Sequence, residues 1–543
     1  MTTILDGKTY YDLVAAGAAN LKVNAQEVND LNVFPIPDGD TGDNMLLTIS
    51  GGVKADNTEE NLGKAADKIS RNMLLSARGN SGVILSQFFA GISSSLSPLE
   101  SADAKAFGDA FEKGVERAYQ AVLTPTEGTI LTVMKDATNF ARGRGAQNIG
   151  EFLEYFREEA KRSLQRTPSL LACLKEAGVV DSGGAGLIYI IEGMLRCLNG
   201  EKIEQVSSAL PSAPSSAIDV DMFTEDSEME FGYCTEVLLR LQNKKCDIAN
   251  FDVNTVTDYL QSIGNSVVAV KSGSIVKIHV HTFEPYKVLQ FLQRFGEYLT
   301  VKVENMSLQH NETQDVKAAI KQRAKYAMVA VASGDGIIET FRELGADYVV
   351  GGGQSMNPSS EDFIKAFDEV NADVVYVLPN NSNVILAAKQ AAEMYDKSTV
   401  MVIESKTIGD GYAVLSMLDY DSDDPEVIYE ELCDAMNDVK TIEISKASRD
   451  ATVNGVAVKE GEYIGFEGKN ILFSSSSRAE TARGACETID KDAYSIIIVI
   501  RGAAIPKSES EDLAAYLRAD NPLIEVYEID GKQDVFDYII IAE

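Results

Sequence analysis

The chain has 543 residues, with 49 Lys and Arg against 83 Asp and Glu, so its formal net charge at pH 7 is −34. Such a charge repels phosphate backbones and anionic lipid headgroups, which excludes nucleic acids and acidic membranes as expected partners. Hydrophobic residues make up 45% of the sequence, enough for several domains with their own cores and too many for wholesale disorder.

Three features of the sequence indicate where the protein resides. The longest apolar stretches, such as residues 495–500, are far shorter than the ~20 residues that a membrane-spanning helix requires. The first residues contain neither a basic segment nor an apolar one, so we expect no secretion signal. The six cysteines are scattered singly, which is typical of a reducing compartment. We therefore predict a cytoplasmic protein.

The first third of the chain, to about residue 200, has the apolar spacing of amphipathic helices. Phe107, Phe111, Val115 and Val122 show this helical spacing in one segment. Residues 207–216 are then rich in Ser, Pro and Ala and carry no charge, as linkers often do. We predict an all-α domain over residues 1–205, followed by a linker over residues 206–225.

Two further domains are predicted beyond this linker. Short alternating runs surround a helical stretch at residues 253–263, which predicts a small α+β domain over residues 226–308. A polar segment at residues 309–321 marks the next boundary. Over residues 322–543 apolar strands alternate with helical patterns, which is typical of βαβ units and a mostly parallel sheet.

The most informative motif, residues 32–45, contains two acidic residues on a tight turn. Asp38 and Asp40 flank Gly39, and Gly42 follows, so the backbone can turn sharply and both carboxylates can point into one site. Paired oxygen ligands of this kind suit Mg²⁺, which shares its remaining positions with substrate phosphates. The alternative is an ordinary surface turn in which an Asp caps the following helix.

Three other turns combine glycine with small polar residues before an apolar helix. They lie at residues 76–85, 125–132 and 181–186. Backbone N–H groups at a helix start carry partial positive charge and can hold a phosphate, and the first of these turns contains Asn80 and Ser81. The alternative for this turn is an ordinary helix cap by Asn80 or Ser81. The sequence contains no P-loop, dinucleotide-binding or protein-kinase signature.

In order and spacing, residues 32–45, 77–82, 127–132 and 180–186 resemble the ATP-binding domain of dihydroxyacetone kinases. Over essentially its full length the chain resembles the catalytic subunit of bacterial fatty-acid kinase. This resemblance implies a multidomain fold: an N-terminal all-α antiparallel helical barrel, a small α+β middle domain, and a C-terminal α/β domain resembling the fatty-acid carrier fold. The domain through which dihydroxyacetone kinases hold their substrate on a histidine has no recognisable counterpart here.

The resemblance also implies roles for individual residues. Asp38 and Asp40 would be the catalytic pair that binds the Mg²⁺ bridging the phosphates of ATP. Asn32 lies near the position of a third metal carboxylate in dihydroxyacetone kinases, but it is an amide at a different spacing. Asp181 would close the nucleotide site. The residues that would contact phosphates through hydroxyl, amide or backbone groups are Thr41, Asn44, Asn80, Ser81 and Thr129.

All three histidines lie beyond the first third of the chain, at His279, His281 and His310. His279 and His281 are two residues apart in an alternating strand and share a face, a spacing that can chelate a transition metal. With Cys234 as a third ligand the set suits Zn²⁺, and the resemblance to fatty-acid kinase favours such a site. The alternative is two half-exposed histidines and an ordinary buried cysteine. No partner for His310 is evident.

Three loops of the last third, residues 351–360, 379–383 and 501–502, follow predicted strands, where open α/β sheets bind ligands. The simpler interpretation is a set of βα loops in which Ser359 or Ser360 caps the next helix. The apolar strands predict no lipid pocket, because buried parallel strands are apolar in any case.

The resemblance implies a kinase subunit that uses ATP and Mg²⁺ to phosphorylate long-chain fatty acids bound to a carrier protein, giving acyl phosphates for phospholipid synthesis. A carboxylate acceptor is already ionised and needs no general base, which agrees with the absence of histidine from the first 278 residues. The C-terminal domain is expected to dock the carrier, and the protein to form a homodimer. The alternatives are a glycerone-type small-molecule kinase and a nucleotide-binding regulatory protein without transfer activity.

Overall fold

The described residues of the computed structural model are 3–31, 39–54, 59–201, 233–248, 251, 253–272, 274–305, 323–353, 356–420, 422–437, 439–490, 493–520 and 524–543. They divide into two compact units, one within Met1–Ala209 and Arg323–Glu543 and the other within Leu210–Gln322. The predicted linker, together with Asn32, Asp38 and His310, lies outside the described residues. No described helix combines the length and the apolar composition of a membrane-spanning segment.

The described part of residues 3–201, here called the helical region, is all-α, as predicted. Each of its first six helices packs against the next, the seventh also packs against the ninth, and the ninth returns to the first. Edge-to-face phenylalanines, among them Phe88, Phe111 and Phe156, fill the core. The helices are α1 (Gly7–Asn29), α2 (Thr41–Gly52), α3 (Leu62–Ser76), α4 (Gly79–Leu96), α5 (Ala104–Gln120), α6 (Ile130–Gly143), α7 (Ile149–Leu170), α8 (Ala172–Ala177) and α9 (Ser182–Leu198).

Five of these helices begin with a side chain that accepts a backbone N–H group of the first turn. The starts of α1, α3 and α5 lie together, because Leu5 and Ala102 exchange backbone hydrogen bonds and the Leu62 N–H donates to the Glu100 carbonyl. We call these three starts the capped end of the helical region. The capping residues are Asp6 (α1), Asn61 (α3), Asp103 (α5), Asn148 (α7) and Asp181 (α9).

The middle region, residues 233–305, contains four strands and two helices in its described part. The strands form an antiparallel sheet in the order β2-β3-β1-β4, and each helix connects two strands in a split βαβ arrangement. Alternating apolar residues such as Val237, Leu239, Ile278 and Val280 are buried in its core. The elements are β1 (Tyr233–Leu241), α10 (Asn254–Ile263), β2 (Asn265–Ser272), β3 (Ile275–Thr282), α11 (Pro285–Leu292) and β4 (Gly296–Asn305).

The last part of the chain, residues 323–543, is here called the α/β region, and its first half has the predicted βαβ rhythm. Its four parallel strands form a sheet in the order β6-β5-β7-β8, with helices in the connections. The elements are β5 (Ala324–Ala332), α12 (Asp335–Glu343), β6 (Tyr348–Gly351), α13 (Ser360–Val370), β7 (Ala372–Leu378), α14 (Ile385–Met394), β8 (Thr399–Val402), α15 (Ile408–Ser416) and α16 (Pro425–Asp434).

The second half of the α/β region departs from the predicted mostly parallel sheet. Its six-stranded sheet has the order β13-β12-β9-β16-β14-β15, and only the β14–β15 pair is parallel. Two hairpins, β10–β11 and β12–β13, lie in this half, and their turns use Asn454, Gly455 and Gly468 at positive φ. The elements are β9 (Lys440–Lys446), β10 (Ala451–Val453), β11 (Val456–Val458), β12 (Tyr463–Glu467), β13 (Asn470–Ser475), α17 (Arg478–Cys486), β14 (Ile496–Arg501), α18 (Lys507–Asp520), β15 (Glu525–Asp530) and β16 (Tyr538–Ala542).

Candidate active site

The starts of α2, α4 and α9, which follow three of the motifs singled out in the sequence, meet in the helical region. The Ser182 hydroxyl at the start of α9 lies 3.3 Å from the Thr41 hydroxyl at the start of α2. Helix α4 begins beside α2, because a Cβ placed on Gly79 would lie 2.5 Å from the Asn44 amide nitrogen. Asn44 is itself buried. The structure thus brings Thr41 and Asn44, two predicted phosphate contacts, to one place.

Helix α6, which follows the remaining motif, begins at the same place. A Cβ on Gly183 would lie 3.2 Å from the Ile130 Cβ, so the starts of α9 and α6 are neighbours. Helix α1 ends there as well, because the Gly42 N–H donates to the Asn29 side chain over 2.7 Å. Since α1 begins at the capped end, this place is at the other end of the region. We call the starts of α2, α4, α6 and α9 the site end.

The starts of α2, α4 and α6 share an unusual feature: the residue before each helix does not cap it with its side chain. For α2 this residue is Asp40, so the interpretation of Asp40 as a helix cap is wrong. Asn80 and Ser81 lie inside α4, which begins at Gly79, so the interpretation of either one as its cap is wrong too. Two first-turn N–H groups are nevertheless held by side chains of other helices, that of Gly42 by Asn29 and that of Ile130 by Asp181. The remaining first-turn N–H groups suit an anion such as phosphate.

The carboxylate of Asp40 receives a hydrogen bond from the α/β region instead. The Asn357 Nδ2 donates to the Asp40 Oδ2 over 2.5 Å. The Asn357 carbonyl in turn accepts a hydrogen bond from the Arg78 guanidinium over 2.7 Å, and that guanidinium lies 3.5 Å from the Asp362 carboxylate. The loop between β6 and α13 is therefore tied directly to the site end.

A second loop of the α/β region reaches the same helix. The Asn80 amide donates to the Asn383 Oδ1 over 3.3 Å, so the loop after β7 contacts the first turn of α4. Arg501, from the third loop predicted at a strand end, pairs instead with Asp530 within its own sheet. Ser359 caps α13 in a capping box with Asp362, as the simpler interpretation of its loop predicted.

Asp181 and Thr129 occupy the two adjacent helix starts. The Asp181 Oδ2 accepts the Gly184 N–H over 2.7 Å and so caps α9. Asp181 keeps some exposed surface, but burial raises its pKa to about 6, against the lowering effect of backbone hydrogen bonds from Gly184 and Ile130. The Thr129 hydroxyl donates to the Thr126 carbonyl over 2.8 Å. The predicted nucleotide contacts of Asp181 and Thr129 stay predictions.

Three residues of the junction, Arg78, Asn357 and Asn383, belong to segments considered in the sequence analysis but were assigned no role there. Their partners could not be found from local patterns, because Asn357 and Asp40 are 317 positions apart. The sequence offered one general signal for them: polar loops that follow parallel strands lie at the edge of the sheet where ligands bind.

The donor set around Asp40 suits a hard cation. A carboxylate and the side-chain oxygens of Asn44 and Asn357 are the ligand types that Mg²⁺ uses. Among the side chains that the structure describes, no group of three or more His, Cys, Asp or Glu residues could hold a metal ion. The described side chains do not include those of Asp38, Cys234, His279 and His281.

The backbone of the middle region gives one further fact about the predicted zinc ligands. In the register of β1 and β3, Cys234 is opposite His281 and Glu236 is opposite His279. The three predicted ligand positions are therefore adjacent in one sheet.

Comparisons with known proteins agree with this division of the chain. Residues 35–196 match the model of the DAK2 domain, residues 230–313 the middle-domain model of FakA-like fatty acid kinase proteins, and residues 327–543 the C-terminal model of the same proteins. Protein YloV of Bacillus subtilis is 39% identical over 556 aligned residues, which cover 99% of each chain.

Two solved structures resemble parts of the chain at lower identity. The dihydroxyacetone kinase of C. freundii in complex with AMP-PNP and Mg²⁺ is 18% identical, covering 34% of this chain and 33% of that one, with a TM-score of 0.28. DegV, a fatty acid binding protein from Bacillus subtilis, is 14% identical, covering 40% of this chain and 98% of that one, with a TM-score of 0.31. The full-length match to YloV and the three domain models show that the chain belongs to the FakA-like family of fatty acid kinase proteins and carries a DAK2 domain in its N-terminal part.

Proposed function

We propose that the protein is an ATP- and Mg²⁺-dependent kinase subunit that phosphorylates the carboxylate of a long-chain fatty acid held by a carrier protein. The family supports the kinase activity and the fatty-acid acceptor. The observation that carries the proposal is the convergence of four helix starts around Asp40, because it joins first-turn N–H donors and a metal ligand in one place.

Acyl-phosphate formation needs little more than positioning and charge neutralisation. A carboxylate oxygen of the fatty acid attacks the γ-phosphorus of ATP, and the bond from that phosphorus to the β,γ-bridging oxygen breaks. ADP leaves with the electron pair, and no proton has to move. The N–H groups at the starts of α2 and α4 would stabilise the charge on the phosphates. Asp40, together with Asp38, would hold the Mg²⁺, which supplies further neutralisation when it is bound.

The direct test is acyl-phosphate formation from oleate and Mg-ATP by the full chain, with and without a fatty-acid carrier from the same organism. We expect product only with the carrier, and a loss of roughly 100-fold or more in Asp40→Asn, because a metal ligand is removed. Asp43→Asn is the matched control, since Asp43 is an exposed carboxylate in the first turn of the same helix. Asp38→Ala tests the second predicted ligand.

The outcomes separate this proposal from its rivals. Phosphorylation of a small ketose without any carrier would replace it by the glycerone-type kinase. Tight nucleotide binding without phosphoryl transfer to any acceptor would replace it by the regulatory protein. Full turnover in Asp40→Asn would remove the metal site as assigned here.

We also propose a zinc site in the middle region, formed by Cys234, His279 and His281. The backbone register supports it by placing Cys234 opposite His281 on neighbouring strands. Metal analysis of the purified protein tests it: about one Zn²⁺ per chain is expected, and its retention in Cys234→Ser would contradict the assignment.

Several further predictions about the whole chain belong to the proposal. These are the domain limits 1–205, 226–308 and 322–543, the helical barrel, the homodimer and the cytoplasmic location. The barrel is supported by the order of helix contacts, which runs from α1 round to α9 and back to α1. Sedimentation of the purified chain would distinguish a dimer from a monomer.

A further inference from the structure

The α/β region packs closely on the site end of the helical region. Ala77 and Val83, which flank the start of α4, share an apolar core with Val329, Phe363 and Val375 of the α/β region. Such a shared core fixes the relative position of the two surfaces more tightly than polar contacts alone, because dense packing has few alternative arrangements.

Buried polar contacts reinforce this junction. The Gln390 Nε2 of α14 donates to the Leu74 carbonyl over 2.7 Å, and its Oε1 accepts a hydrogen bond from Gln87 over 2.8 Å. The Ser360 N–H at the start of α13 donates to the Ala77 carbonyl over 3.3 Å. The start of α13, three residues from Asn357, is therefore held directly on the turn between α3 and α4.

Asn357 is the junction residue that reaches the proposed metal ligand. Its side chain is 2% exposed and its Nδ2 lies 2.5 Å from the Asp40 Oδ2. Its backbone is held by the Arg78 guanidinium through the Asn357 carbonyl. Its Oδ1 is also buried, and no described residue donates a hydrogen bond to it. A buried acceptor without a donor is costly unless a ligand or a water satisfies it.

We propose that Asn357 is a positioning residue of the α/β region that orients the Asp40 carboxylate for Mg²⁺, so that the metal site is incomplete without this region. The inference rests on the proposed function, since it takes Asp40 as a metal ligand. The Nδ2 holds one carboxylate oxygen and fixes the plane of the carboxylate.

This arrangement gives the α/β region a part in the kinase reaction besides any docking of a carrier. Partners that orient a metal-binding carboxylate typically change metal affinity or activity by about 10–100-fold when they are removed.

The test is the affinity of the full chain for Mn²⁺ in the presence of ADP, followed by the electron paramagnetic resonance signal of free Mn²⁺. We expect Asn357→Ala to weaken Mn²⁺ binding about 10-fold or more, because the carboxylate loses its orientation. Asn357→Leu keeps the size of the side chain but removes its amide. We expect it to weaken Mn²⁺ binding as much as Asn357→Ala, since neither variant can hold the Asp40 carboxylate.

Two controls separate this role from a loose junction. Gln390→Ala removes buried hydrogen bonds at the same junction without touching Asp40, and Asn437→Ala changes an exposed asparagine elsewhere in the α/β region. Both should keep Mn²⁺ affinity within about threefold of the parent, since neither contacts the site. An equal loss in Gln390→Ala would show a general loosening and overturn the proposal. So would unchanged affinity in folded Asn357→Ala or folded Asn357→Leu.

The measurement does not depend on the acceptor. If no acyl phosphate forms but Mn²⁺ binding still depends on Asn357, the proposed fatty-acid substrate fails and the positioning role stands. If acyl phosphate forms and Mn²⁺ binding is indifferent to Asn357, only the positioning role fails.

Discussion

The two ends of the helical region treat their helix starts in opposite ways. At the capped end, Asp6, Asn61 and Asp103 each accept an N–H group of their own helix. At the site end, the residues before α2, α4 and α6 leave their helices without a side-chain cap. Side chains of other helices hold one first-turn N–H group of α2 and one of α6, namely those of Asn29 and Asp181. For α4 the structure describes no such acceptor, and a missing cap costs about 1 kcal/mol of stability.

This difference separates stability from function in one small region. A helix start that is satisfied by its own sequence has no donors left for a ligand, whereas one without a cap is completed by an anion that binds there. The capped end therefore stabilises the fold, whereas the site end is expected to gain stability when a phosphate group binds there. Substitutions at the capped end should therefore change stability, and substitutions at the site end should change turnover or nucleotide binding.

The largest effect is expected at Gly79, the first residue of α4. Its φ is +56°, and a Cβ there would lie 2.5 Å from the Asn44 amide nitrogen and 3.4 Å from that of Asn357. Gly79→Ala should therefore displace the Asn44 amide and lower turnover about 100-fold, because small misplacements at a reacting site have large effects. Steady-state kinetics measures it.

Gly143, the last residue of α6, is the matched control for this substitution, because a Cβ there would meet nothing within 4 Å. Gly143→Ala should keep full turnover and gain up to about 1 kcal/mol of stability from helix propensity. Equal turnover in the two variants would show that the start of α4 takes no part in the reaction.

The next effect concerns charge at the site end. Thr129→Asp would add a second carboxylate at the start of α6, next to Asp181, which already accepts the Ile130 N–H, and phosphates are expected there. We predict that nucleotide binding weakens about 10-fold, because the new charge repels the phosphates. Thr129→Asn is an equally good cap without the charge, so it should weaken binding less. Isothermal titration with ADP compares the two, and identical affinities would place the phosphates elsewhere.

At the capped end the expected change is in stability alone. The Asp103 side chain accepts the Ala106 N–H over 2.8 Å at the start of α5. Asp103→Ala should lower the free energy of unfolding by about 1 kcal/mol through the loss of this cap. Turnover and nucleotide affinity should match the parent, since α5 starts at the opposite end. Urea denaturation and steady-state kinetics on the same sample would check stability and turnover. A loss of turnover in the folded variant would contradict the separation of the two ends into a stabilising and a functional one.

Local patterns in the sequence predicted the helical region and the helix starts of its site end. Helical spacing predicted the all-α region, and the turns at residues 32–45, 76–85, 125–132 and 181–186 identified the four helix starts that meet at the site end. The junction with the α/β region could not be predicted, because contacts such as Asn357 with Asp40 join distant segments that carry no periodic signal. The hairpins of the last sheet were missed for another reason. The Asn454–Gly455 turn was a readable signal, but the preceding βαβ rhythm was extended past it.

The smallest effect should appear at Asp181, the one capped start at the site end. Burial raises its pKa to about 6, whereas an aspartate in an unfolded chain has a pKa of about 3.9. The folded protein thus binds this proton more tightly, so the contribution of Asp181 to stability is fully present below about pH 4 and is lost as the pH rises through about 6. Because Asp181 is partly exposed, solvent screening should keep the change below about 1 kcal/mol.

Asp181→Asn keeps a capping oxygen for Gly184 and removes the titration. The free energy of unfolding of each protein is measured at about pH 5 and at about pH 8. Between these values the parent should lose stability relative to the variant. Parallel pH dependence in the two proteins would mean that Asp181 is ionised throughout, as an ordinary surface cap would be.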